Sequence, residues 1–158
     1  MNTEFSEPNH PLHHLLTYCH HKFARLFARQ LKLDYPELEL VAGQPRILFF
    51  LNHHKGAYQR QIADGCLLEP STLSLILRKM EKANLIKRGQ QGKNRKNSVV
   101  SLTPQGIKAA ECVEQVVNTV ENNVLSECSV KERQILGTIL SRVCAQEEQL
   151  LNEMDMLS

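Results

Sequence analysis

Apolar residues recur at helical spacing through most of the chain. Leu12, Leu16, Cys19, Phe23, Leu26 and Gln30 fall at 4-3-4-3-4 intervals, and Leu15, Phe27 and Leu31 widen the stripe. This pattern predicts an amphipathic helix over 11–33. Pro11 suits its first turn, where a missing N–H costs nothing. Residues 34–43, with Pro36 and Gly43, read as a loop. Pro45 to His53 carries Ile47, Leu48, Phe50 and Leu51, so a short helix buried on most sides is expected. Gly56 breaks the chain, and a further short helix spans 59–64, with Ile62 and Ala63 inward and Gly65 as its end. Glu69-Pro70-Ser71 starts the next helix, which runs to Ala83 with Leu73, Leu77 and Met80 at i, i+4 and i+7. Asn84 suits the left-handed conformation that closes a helix.

The period then changes. Residues 85–89 and 98–102 read as two short strands, with Val99 and Val100 as β-branched residues in the second. Gln90 to Asn97 between them is a polar, Gly-containing hairpin tip. Thr103-Pro104 opens a helix to Leu125 that carries Ala110, Val113, Val117, Val120 and Val124, a heptad-like seam. Ser129 and Glu132 form a capping box for a last helix reaching Met154. Leu136, Leu140, Val143, Leu150 and Met154 keep a seam there, interrupted by Glu147. The chain is therefore expected to be mainly α, with about six helices and a two- to three-stranded wing. Its parts are 1–43, an N-terminal helix and loop; 44–103, a helix-turn-helix with its wing; and 104–158, two C-terminal helices. All three belong to a single integrated domain.

Length and composition narrow the function. At 158 residues the chain is one domain, long enough to bury a core without disulfides. With 42% apolar and 23% charged residues, wholesale disorder is excluded. The longest apolar run is Ile47 to Leu51, far short of a membrane span. Met1 to His10 is polar and unlike a signal peptide. The cysteines at 19, 66, 112, 128 and 144 include no C-x-x-C pair, which fits a reduced cytoplasm better than a disulfide framework or structural zinc. No phosphate loop, H-E-x-x-H or G-x-S-x-G is present. Neither a cofactor nor catalytic activity is expected.

Charge changes this picture. The formal net charge is only +2, yet residues 55–96 hold ten Lys/Arg against three acids. That is +7 in the middle and −5 in the rest. A basic centre between acidic ends is the footprint of a module that binds a polyanion. The second helix of a helix-turn-helix enters the major groove with its N-terminal residues at base edges, which calls for small side chains. Ser71, Thr72 and Ser74 supply them. Arg78 lies one turn beyond Ser74 and suits bidentate pairing with a guanine or a phosphate. Lys79 and Lys82 suit phosphates, which position without specifying. Arg95 at the hairpin tip suits the minor groove, with Lys93 and Lys96 on the flanking backbone.

These residues resemble the winged helix-turn-helix core of the MarR (multiple antibiotic resistance regulator) transcription factors. The resemblance rests on Gln61-Ile62-Ala63, Pro70-Ser71-Thr72-Leu73-Ser74, and Met80-Glu81-Lys82-Ala83-Asn84-Leu85-Ile86-Lys87-Arg88. After the wing come Val100-Ser101-Leu102-Thr103-Pro104-Gln105-Gly106, where Leu-Thr-x-x-Gly is a fairly specific signature. The resemblance implies a homodimer with intertwined end helices, binding a pseudo-palindromic double-stranded DNA operator. The family's wing carries Asp-x-Arg, whereas this chain has Asn94 and Lys96 in those places, so the minor-groove residue is Arg95 or Lys96. The family's Gly after the recognition helix is Asn84 here.

The resemblance also implies control by a small organic effector, bound between the dimerisation helices and the DNA-binding lobe. Cys19, His20, Phe23, Phe50 and His54 are the candidate effector or sensor residues. Zinc-sensing relatives use histidines in the helix after the wing, and that helix has none here, so no metal site is expected. The expected function is a cytoplasmic homodimeric repressor released by a small effector, with no membrane association. The alternatives are a redox-sensing regulator acting through Cys19, and a winged-helix module binding an acidic protein or RNA.

Overall fold

Residues 11–89 and 99–157 are described by this structure, a computed structural model. The elements run α1 (Leu12–Asp34), α2 (Gln44–His54), β1 (Ala57–Tyr58), α3 (Gln59–Cys66), α4 (Pro70–Lys82), β2 (Ile86–Arg88), β3 (Val99–Leu102), α5 (Pro104–Val124) and α6 (Val130–Asp155). The fold is mainly α with a small antiparallel sheet, as the periodicity predicts. The chain divides into two compact units, the first ending at Val120 and the second beginning at Glu121.

In the first unit, the three strands lie in the order β1-β3-β2. Val100 is the hub: it pairs with Ala57 on one side and Arg88 on the other, and it is fully buried. Strand β1 has only two residues, too few for alternation to reveal it from sequence. Around the sheet, Ile47, Leu48, Leu51, Ile62, Leu73, Leu77, Met80 and Ile86 form one core with Ala110, Val113 and Val116 of α5. Helix α2 buries Ile47, Leu48 and Leu51, but Phe49 is exposed and Phe50 half-buried, so the helix is covered on one side rather than on most sides.

Helix α3 corrects one expectation. It does not stop at Gly65 but continues to Cys66, and its cap is Leu67 in the left-handed conformation at φ 49°. Gly65 is present for space, since a Cβ there would lie 2.2 Å from the Phe50 ring.

Polar ties join α5 to the elements before it. The Asn52 amide donates to Glu114 Oε2 at 2.9 Å, and His53 Nε2 lies 3.4 Å from Glu114 Oε1. The Tyr35 hydroxyl donates to Gln115.

The second unit holds the end of α5 and all of α6. The Ser129 N–H donates to Glu132 Oε2 at 2.8 Å, and the Glu132 N–H donates to Ser129 Oγ at 3.3 Å. The capping box is therefore closed in both directions. These bonds hold the Glu132 carboxyl below its ordinary value. Arg133 donates from Nη2 to the Leu125 carbonyl at 2.6 Å and from Nε to the Cys128 carbonyl at 3.1 Å, satisfying carbonyls in the turn after α5. Helix α6 buries none of its residues, and Ile135, Leu136, Ile139, Leu150, Leu151 and Met154 are exposed on it. Among the described residues, no helix is long and apolar enough to cross a membrane.

Candidate nucleic-acid interface

Helix α4 divides cleanly into two faces. Leu73, Ile76, Leu77 and Met80 are buried, while Ser71, Thr72, Ser74, Arg78, Lys79 and Lys82 are all exposed. The spacing of the apolar stripe fixes this orientation, because burying residues at i, i+3, i+4 and i+7 leaves the intervening positions outward. All six residues assigned to DNA on α4 therefore share the solvent side. The Ser74 hydroxyl donates to the Pro70 carbonyl at 2.9 Å. Its proton is committed within the helix, and its oxygen remains an acceptor.

The turn between α3 and α4 is set by Leu67. Its N–H meets the Asp64 carbonyl at 3.2 Å, and the next N–H, of Leu68, meets the Ala63 carbonyl at 2.9 Å. The left-handed residue closes α3, leaves its own side chain 86% exposed, and turns the chain into α4.

The basic segment is not uniformly available to a ligand. Arg60 lies 3.9 Å from Asp64, and Arg88 Nε lies 3.2 Å from Glu81 Oε2. The Arg88 contact lacks the direction of a hydrogen bond and is an ion pair only. Arg78, Lys79, Lys82 and Lys87 make no ion pair with another described residue. Apart from Lys55 at the end of α2, the uncommitted cations of this segment among the described residues thus cluster on the outer face of α4 and on β2. Lys93, Arg95 and Lys96, the wing residues assigned to the minor groove and its flanks, lie outside the described residues.

One residue of this face was missed. The sequence reading gives Leu75 no role, and it is 58% exposed. It falls four residues after Ser71, three before Arg78 and four before Lys79, so it shares their face. Its departure from the Leu73-Leu77-Met80 spacing was the available signal.

The Leu-Thr-x-x-Gly signature has a geometric basis. The Thr103 hydroxyl donates to the Asn84 carbonyl and accepts the Gly106 N–H at 3.0 Å. Thr103 thereby caps α5 and holds the end of α4 at once. Asn84 takes φ 55°, the left-handed conformation expected where the family has Gly.

The effector candidates are spread over two helices. On α1, Cys19 and His20 are exposed, and Phe23 is half-buried. On α2, Phe50 packs against the core, and exposed His54 stacks on it at 4.0 Å between ring centroids. An open groove of ≈ 680 Å³ lies beside α1, lined by Phe27, Leu31, Lys32, Tyr35 and Arg46 among others. None of the five candidates lines it. Burial pushes the Cys66 thiol up to about 11, against the lowering pull of Arg46. Among the described residues, no group of three or more His, Cys, Asp or Glu side chains is placed to hold a metal ion.

Residues 40–98 match the model of the MarR family. No curated protein sequence matches the chain. Several solved structures share its fold. Ligand-free NadR is 18% identical, with 89% of this chain and 98% of that chain covered at a TM-score of 0.76. NadR in complex with 4-hydroxyphenylacetate is 20% identical, covering 89% and 99% at a TM-score of 0.74. BpsR of Bordetella bronchiseptica, described with regulation of its DNA binding by 6-hydroxynicotinic acid, is 16% identical, covering 87% and 96% at 0.71. The helix-turn-helix lobe thus matches the MarR family model over residues 40–98, and the fold along most of the chain is the one these solved structures share.

Proposed function

We propose that this protein is a sequence-specific double-stranded DNA-binding regulator, a homodimeric repressor released by a small organic effector. The outer face of α4 carries this reading. It presents to solvent hydroxyls and cations that make no ion pair with another described residue, opposite a packed core side. Only a polyanion offers such a face both counter-charge and hydrogen-bond partners along its length. Ser71, Thr72, Ser74 and Arg78 take base edges, and Lys79 and Lys82 take phosphates. Lys93, Arg95 and Lys96 take the minor groove and its flanks. The exposed apolar residues of α6 support self-association, since a helix of 26 residues with no buried side chain otherwise leaves its apolar surface in water. A pseudo-palindromic operator follows from two-fold pairing.

The effector reading is supported by NadR and BpsR, whose structures are described with 4-hydroxyphenylacetate and 6-hydroxynicotinic acid. A second reading, thiol oxidation at Cys19, is favoured by the exposure of that side chain, which a core role would have hidden.

Selection from a random duplex library tests the proposal. Enrichment of a two-fold-symmetric motif by a dimer of defined mass is the expected result. No enrichment, with retention of RNA or acidic protein instead, contradicts it. Repeating the selection after mild oxidation, after chelation and with small aromatic acids separates the effector readings.

A further inference from the structure

We propose that Leu75 reads a thymine 5-methyl group in the operator. This rests on the DNA-binding reading above and deepens it. Leu75 is 58% exposed, while Leu73, Ile76, Leu77 and Met80 hold the core side of the same helix. Packing among the described residues therefore does not account for a leucine here. Its surroundings do not suit an apolar protein partner. Ser71 precedes it by one turn, and Arg78, Lys79 and Lys82 follow it on the same face without acids of their own. A protein surface docking on Leu75 would have to desolvate these cations. A DNA major groove instead supplies phosphates to the cations, and its base edges carry one apolar feature, the thymine methyl. Leu75 is the one large apolar side chain on the outer face of α4.

The hydroxyls around it sharpen the assignment. Ser74 already donates to the Pro70 carbonyl, so it can accept from a base but not donate to one through that proton. Such a helix discriminates through Arg78 at one base and through Leu75 at another. A cytosine in the thymine's place would lose the methyl contact and leave its amino group against a leucine.

The test uses the full chain and the duplex enriched by selection, with each thymine replaced in turn by deoxyuridine. That replacement removes only the methyl group. At one thymine per half-site, wild-type affinity falls about fourfold, the weight of one buried methyl. Leu75→Ala binds the thymine duplex about fourfold more weakly per half-site and no longer distinguishes thymine from deoxyuridine there. Leu75→Met keeps the discrimination. Far-UV circular dichroism of both variants matches wild type, because position 75 is outside the core and Ala favours helix. A wild-type protein indifferent to every deoxyuridine overturns the assignment, without needing any variant. So does an equal deoxyuridine penalty in wild type and Leu75→Ala. If no duplex is enriched at all, the DNA-binding reading falls and takes this one with it. An enriched duplex with no methyl-sensitive thymine overturns the Leu75 role alone.

Discussion

The first turn of α5 rests directly on the backbone after α4: a Cβ added to Gly106 would lie 1.8 Å from the carbonyl oxygen of Leu85. That carbonyl is itself occupied, accepting the Thr103 N–H at 3.1 Å, so it cannot turn aside freely. Helix propensity alone favours Ala over Gly by about 1 kcal/mol. The overlap with a fixed backbone atom outweighs it. Gly106→Ala is expected to lose about 3 kcal/mol, read as a lower urea midpoint at unchanged slope. A variant as stable as wild type would show that the approach of α5 to Leu85 is not fixed.

Leu67 runs the opposite way. It holds φ 49° with its side chain 86% exposed, so its conformation costs stability and its burial returns little. A side chain in the left-handed region costs about 1–2 kcal/mol, and the extra freedom of an unfolded glycine about 0.5–1 kcal/mol. Leu67→Gly is expected to stabilise the protein by about 0.5–1 kcal/mol in thermal or urea unfolding. Destabilisation would mean that the Leu67 side chain is covered in the native protein.

The α6 capping box makes a local, pH-dependent prediction. Ser129→Ala removes the hydroxyl that Glu132 N–H and carboxylate both meet, a loss of about 1 kcal/mol at neutral pH. Ser129 holds the Glu132 carboxyl below its ordinary value of 4.5. A depressed folded value stabilises above the unfolded value and is lost as pH falls through the folded one. The difference between wild type and Ser129→Ala should therefore narrow as pH drops below 4.5. Hydrogen exchange at the first amides of α6 reads it. A difference that widens on acidification would contradict the assignment.

On α4, neighbouring cations should behave differently. Arg78→Ala is expected to cost about 1–3 kcal/mol on the selected duplex and to relax its sequence preference. Lys79→Ala is expected to weaken binding to selected and scrambled duplexes alike and to lower the salt slope by about 1. Equal losses on both duplexes for both variants would remove the division between base and phosphate contacts.

Much of this was legible in the sequence because helical spacing is a strong signal. The Leu73-Leu77-Met80 stripe oriented α4, and that alone placed Ser71, Thr72, Ser74 and Arg78 outward. Asn84 was readable as a left-handed closure from its chemistry. Less local features were hidden. Gly65 looked like a helix end, but its role is set by the Phe50 ring from another helix. The pairing of Arg88 with Glu81 joins a strand to a helix, so counting charges along the chain overstated the free cations. Leu75 received no role because its place off the Leu73-Leu77-Met80 stripe says only that it faces away from the core, not what it meets. The seam of α6 was visible as periodicity, but periodicity does not say what covers a face.

The central claim is that the outer face of α4 reads DNA sequence. Fluorescence anisotropy titration of the selected duplex against a scrambled duplex of equal length, across a salt series, tests it most directly. The account predicts that the selected duplex binds at least about a thousandfold more tightly and that both affinities fall linearly with log salt. Equal affinity for the two duplexes at every salt concentration would contradict it.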